Sequence, residues 1–222
     1  ISRRQDNEQT LDNLNWLRAN THAHLHADLI FGLPGETLET FRDSFDRLVA
    51  AGPHEIQVGM LKRLRGSPII RHTGRYDLRF NPDPPYDILA TDRIDFATMQ
   101  AMSRFARYWD LVVNSGRFES LRGVLLGGTP FDNFYRLAGW LYETTGQTHR
   151  IAMSRLFELL QRGAVEALAL PEDQVHEAVE QDRVRQRRAN DLNRRRLTQR
   201  QAPHTRRQAR HVHANQGFVH EH

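Results

Sequence analysis

The stretch that decides the fold is His24-Leu25-His26-Ala27-Asp28-Leu29-Ile30-Phe31-Gly32-Leu33-Pro34-Gly35-Glu36-Thr37. It reads as a strand running into a Gly-Pro-Gly turn and then into an amphipathic helix. Side chains alternate across a strand. Leu25, Ala27, Leu29 and Phe31 therefore share one face, and His24, His26, Asp28 and Ile30 share the other. A carboxylate inside such a run needs a partner if it is buried. Asp28 accordingly faces a cavity or ligand, or it is a structural carboxylate bonded to nearby backbone. Gly32, Pro34 and Gly35 stand at the carboxyl end of the strand, where parallel sheets and barrels place their ligands. Glycine permits close approach to the backbone and proline fixes one torsion; a tight connection without a ligand fits the same residues.

The neighbouring sequence builds a βαβ unit around this turn. Thr37 can cap a helix that carries Phe41, Phe45, Leu48 and Val49 at helical spacing, and Gly52-Pro53 ends it. A second strand over about 55–62 sets Ile56, Val58 and Met60 on one face, with Glu55, Gln57 and Gly59 on the other. Strand, helix and strand at this spacing imply a parallel pair that needs further strands on both sides. Gln57 is expected to face the same cavity as Asp28, or to be a layer residue paired to its neighbours.

Asp28-Leu29-Ile30-x-Gly32-Leu33-Pro34-Gly35-Glu36-Thr37 resembles the late-barrel motif of radical S-adenosylmethionine (SAM) enzymes. The ordered series from Ile1-Ser2-Arg3-Arg4 through the first strand to Gly59-Met60-Leu61-Lys62 and Gly66-Ser67-Pro68 is similar to the carboxyl-terminal portion of cobalamin-binding-domain-containing radical SAM proteins. Residues 85–160 resemble the uncharacterised helical domain that follows the barrel in that group. The resemblance implies that Asp28 contacts the ribose or amino group of SAM. It also implies that Ile30 and the backbone of Gly32, Pro34 and Gly35 lie near adenine or methionine. In the intact enzyme it implies a four-iron four-sulfur cluster, cobalamin on an amino-terminal domain, and either a 5′-deoxyadenosyl radical or methyl transfer. The substrate, small or macromolecular, is left open.

The cluster's three cysteines, Cys-x3-Cys-x2-Cys, have no counterpart, because the chain contains no cysteine. No other residue type supplies three soft thiolates. The chain is therefore expected to be a fragment, inactive by itself, with the rest of the barrel and the cobalamin domain as its missing partners.

Beyond the second strand, Asn81-Pro82-Asp83-Pro84-Pro85 makes the segment rigid and irregular, and a domain boundary falls near residue 70. Helices are expected over 91–113, from Thr129-Pro130 to Gly146, and over 149–169. The aromatic series Phe105, Trp109, Phe131, Phe134, Tyr135 and Trp140 reads as packing of this domain. Residues 181–222 hold eleven Arg against Asp182, Asp191 and Glu221. The chain is +4 overall, so residues 1–180 are net acidic and the basic charge belongs to the tail.

The fold class expected is thus α/β: a partial (β/α) barrel fragment over 1–70, a mostly α-helical domain over 71–180, and a disordered basic tail over 181–222, helical only to about 190. The tail supplies the competing function, nucleic-acid binding by a non-enzymatic helical module, although it carries a single aromatic, Phe218. His22, His24 and His26 alternate along one strand face, but their spacing disfavours convergence on one ion, and no metal site is assigned. No apolar run approaches the roughly 20 residues that cross a bilayer; a cytoplasmic location is expected.

Overall fold

The structure, a computed structural model, describes residues 6–201. The chain divides into two compact units, Ile1–Asp182 and Arg183–His222. Among the described residues there are seven α-helices and two small two-stranded sheets, so these residues are mostly helical and form no closed barrel.

Helix α1 (Asn7–Asn20) is capped by Asp6, whose side chain accepts from the Gln9 amide. Strand β1 (His26–Phe31) follows, then α2 (Leu38–Ala51) and β2 (Glu55–Met60). Thr37 and Thr40 cap α2 reciprocally, each side chain accepting from the other's backbone amide. Gly52 ends it at φ 64°, in the left-handed region. The Arg18 guanidinium lies where a Cβ on Gly52 would stand and donates to the Ala51 carbonyl at 3.3 Å, fastening α1 to the end of α2.

Strands β1 and β2 pair in parallel, with Ala27 opposite Ile56, Asp28 opposite Gln57 and Leu29 opposite Val58. The alternation expected of both strands is present. Phe31, Ile56 and Val58 are buried against the helices, and His26, Asp28, Ile30 and Gln57 are exposed on the other face.

The pair is not symmetric at its edges, contrary to the expectation of neighbours on both sides. The far edge of β2 is closed by side chains from the next helical segment, α3 (Phe96–Trp109), and the π-helical turn Asp110–Asn114 that continues it. The Ile56 carbonyl accepts from the Trp109 indole at 2.9 Å and from the Asn114 amide at 3.0 Å, while the Ile56 N–H donates to Asn114 Oδ1 at 3.3 Å. A π turn closes on the residue five positions away. Trp109 and Asn114, five apart, are thereby brought to one side and grip the same peptide.

Before α3 the chain forms a short 3₁₀ turn (Pro68–His72) and the antiparallel strands β3 (Arg79–Phe80) and β4 (Ile88–Ala90). Helix α4 (Glu119–Leu125) was not foreseen from the sequence; α5 (Pro130–Thr145), α6 (Met153–Glu166) and α7 (Glu172–Gln201) were. Thr129 makes no side-chain cap for α5. Asp46 of α2 accepts the Phe131 amide instead, at 2.8 Å, and burial there pushes its carboxyl upward.

The aromatic series is packing, as expected: Phe45, Phe105, Trp109, Phe131 and Phe134 meet mostly edge to face, with centroids 4.8–6.0 Å apart. One continuous apolar core runs from Phe31 and Phe41 through these rings to Leu160 and Val179. Helix α7 extends to Gln201, past the residue near 190 where the sequence suggested that order would stop. Arg and Gln are good helix formers without any core to pack on, and side-chain pairs such as Gln186 with Asn190 span the turns. The rest of the basic tail expected to be disordered lies outside the described residues.

Candidate functional site

The turn after β1 is shaped by Glu36. Its Oε2 accepts the backbone N–H of Gly32 at 2.7 Å and of Leu33 at 3.2 Å, and its own N–H donates to the Leu33 carbonyl. Gly32 and Gly35 hold φ of +92° and +81°, where glycine alone is unstrained. The room they leave is used by the chain itself. A Cβ on Gly32 would stand 2.8 Å from Ile88 Cγ2 and 3.2 Å from the Met99 methyl, and one on Gly35 would stand 3.3 Å from the Tyr76 ring. Arg93 donates to the Gly35 carbonyl at 3.0 Å. The close approach that the glycines allow is thus made by side chains of residues 76–99.

The other residues singled out from the sequence sit nearby. Asp28 and Gln57 face one another across the strand pair on the exposed side, and Ile30 is 46% exposed beside them. Pro34 is half-buried in the turn. At the start of β1, His24 Nδ1 and His26 Nε2 are 2.9 Å apart, His26 meets Glu55 at 3.0 Å, and the His24 ring stacks on His54 at 4.6 Å. No group of three or more metal-ligating side chains is assembled among the described residues.

A comparison with protein-family models matches residues 74–222 to a family described as "Protein of unknown function (DUF4080)". That span is about two thirds of the chain. The chain belongs to this family. A comparison with curated proteins finds no match. The family segment begins just before Tyr76, so Tyr76, Ile88, Arg93 and Met99, which pack on the Gly32–Gly35 turn, all belong to it, while the turn precedes it. Among the described residues no helix is long and apolar enough to cross a membrane.

Sequence reasoning quoted Glu36 within the motif without assigning it a role. A usable signal was present, since an acid four residues after a glycine that opens a turn can fold back onto the turn's amides. Burial pushes the Glu36 carboxyl up to about 7, against the pull of the Gly32 and Leu33 amides. Because the folded state holds this proton more tightly than a free carboxyl near 4.5, its contribution to stability is full below about pH 4.5 and is lost as pH rises through 7. Glu36→Gln keeps an oxygen for the two amides and removes the charge. We expect the variant to match the parent at pH 4 and to exceed it at pH 8 by on the order of 2 kcal/mol. Thermal midpoints across that range check this; parallel pH profiles would mean that the carboxylate is ionised at no cost.

Proposed function

We propose that this chain is the carboxyl-terminal part of a cobalamin-dependent radical SAM enzyme, and that the open face of β1 and β2 is its contribution to the SAM and substrate side of the barrel. The observation that carries the reading is the contrast between the two strand edges. Trp109 and Asn114 occupy the outer edge of β2 at Ile56. On β1, the Leu25 carbonyl accepts from Glu55 and the Phe31 carbonyl from Leu61, so the odd-numbered backbone groups face β2. Backbone groups alternate along a strand, and those of His26, Asp28 and Ile30 therefore point away from β2, to a side where no further strand pairs among the described residues. Further strands can add beside β1 and not at Ile56, as suits the last strand of an open barrel. On such a barrel the exposed face bearing Asp28 and Gln57 is the inner one, and Ile30 and the Gly32, Pro34 and Gly35 turn lie at its mouth.

The residues present do not fit an iron–sulfur cluster, since the chain has no cysteine. The ligands, and the cluster's reductive chemistry on SAM, belong in this reading to an upstream segment, as does the cobalamin domain. The coding sequence upstream of Ile1 is expected to encode Cys-x3-Cys-x2-Cys near the start of the barrel. When the chain is produced with that segment, the amides of His26, Asp28 and Ile30 should become protected from hydrogen exchange by at least about a hundredfold, as paired strand amides are relative to open ones. An upstream sequence without the three cysteines, or unchanged exchange at these amides, would end the proposal.

A second reading rests on the basic tail. Arg183, Arg185, Arg187, Arg188 and Arg194 all lie on one continuous helix, which could track a phosphate backbone without sequence preference. Binding to arbitrary RNA that weakens steeply with salt, and that is lost on replacing Arg194, Arg195 and Arg196 by Gln, would favour it.

A further inference from the structure

Past β2 the chain forms a cleft that neither reading uses. Its walls are Arg63, Leu64, Arg65, Ser67, Ile70 and Arg71, with Tyr86 at one side, and its volume is about 560 Å³. We propose that this cleft binds the phosphate or pyrophosphate group of a small molecule.

Three arginines line one concavity, and guanidinium stays charged at any physiological pH. Among the described residues none of the three has an acidic partner; the neighbouring Lys62, by contrast, is held by Asp87 at 3.7 Å. The Arg63 guanidinium is steadied over the Phe80 ring at 5.7 Å, and the Arg63 backbone N–H donates to the Tyr86 carbonyl, fixing the wall. The Ser67 hydroxyl oxygen accepts from the Ile69 amide at 3.4 Å, which leaves the hydroxyl proton to donate. Gly66 turns at φ +76° with nothing within 4 Å of a Cβ position, so its backbone borders open space. Planar guanidinium forks match phosphate oxygens two at a time.

Location supports the assignment independently. The cleft lies just beyond the carboxyl end of β2 in a parallel pair, the end at which such sheets bind ligands. Its volume falls in the range of small-molecule sites and far exceeds a lone phosphate. Leu64 and Ile70, each 61% exposed, offer apolar surface beside the arginines for the remainder of the ligand. The inference does not depend on the radical SAM reading.

The test is calorimetric titration of the full chain with inorganic pyrophosphate at 0.15 M salt. Saturable binding is expected, at least tenfold weaker in Arg65→Gln/Arg71→Gln and within twofold of the parent in Arg194→Gln/Arg195→Gln/Arg196→Gln. Arg65 and Arg71 are exposed, so the cleft variant should keep its thermal midpoint to within about 2 °C. Absence of binding overturns the proposal. So does binding that survives the cleft substitutions, or that falls as far in the tail variant.

Discussion

Trp109→Ala is expected to lower stability by about 3–5 kcal/mol, a fall in the thermal midpoint of roughly 10 °C or more. The indole is 1% exposed. Its ring stands edge-on to Phe45 at 4.8 Å and to Phe134 at 5.0 Å, and stacks with Phe105 at 6.0 Å. Truncation removes the ring at the junction of α2, α3 and α5 and opens a cavity that rigid neighbours cannot collapse into. It also removes one of the two donors to the Ile56 carbonyl. Trp109→Phe separates these contributions. The phenyl ring refills most of the space, and Asn114 still donates to Ile56, so the loss should be only about 1–2 kcal/mol. Equal losses in the two variants, measured by urea denaturation, would mean that the indole hydrogen bond, and not the packing, holds this junction.

Asp182→Ala should cost about 2–4 kcal/mol. Asp182 is fully buried, and its two oxygens accept the Ser120 and Leu121 amides at 2.9 Å each. These amides belong to the first turn of α4, whose position before the first helical residue is held by Phe118, which supplies no side-chain cap. Helix starts leave such N–H groups without intrahelical partners. A carboxylate some sixty residues away therefore does the work of a local cap, and deleting it removes the acceptor from a part-buried amide at Ser120 and a buried one at Leu121. Asp182→Asn keeps the volume but turns an NH₂ group toward one of the donors, so it should recover less than half the loss. A destabilisation by Asp182→Ala of under 1 kcal/mol would show that water reaches the amides. The same contact sets where the basic tail can be altered safely: a deletion must begin after Asp182, the last residue of the first compact unit, and not at residue 181.

The sequence was most legible where a single element carries its own signal. Alternation through Leu25–Phe31 and Ile56–Met60 assigns both strand faces correctly, and Thr37 and Gly52 mark the ends of α2. Each of these depends on residues no more than a few positions apart. Helix α4 escaped notice because it is short, lacks a local capping residue, and depends on Asp182 for its start. Thr129 stands at the position from which a threonine can cap α5, but Asp46, 85 residues from Phe131, takes the amide. In both cases the donor is local and the acceptor is not, and no window along the chain reveals the pairing.

The candidate site divides in the same way. The residues themselves determine the Gly-Pro-Gly turn at the end of a strand, the membership of Asp28 and Gln57 on one face, and the lack of any thiolate for an iron–sulfur cluster. Tertiary structure alone decides that Ile88 and Tyr76 fill the space beside Gly32 and Gly35, that burial raises the Glu36 carboxyl to about 7, and that β2 is closed at Ile56 by Trp109 and Asn114. The physical reason is range. Backbone preference and side-chain period act within a turn or a strand, whereas cavity filling, desolvation and edge protection are set by whichever distant side chain the packed core brings within a few ångströms.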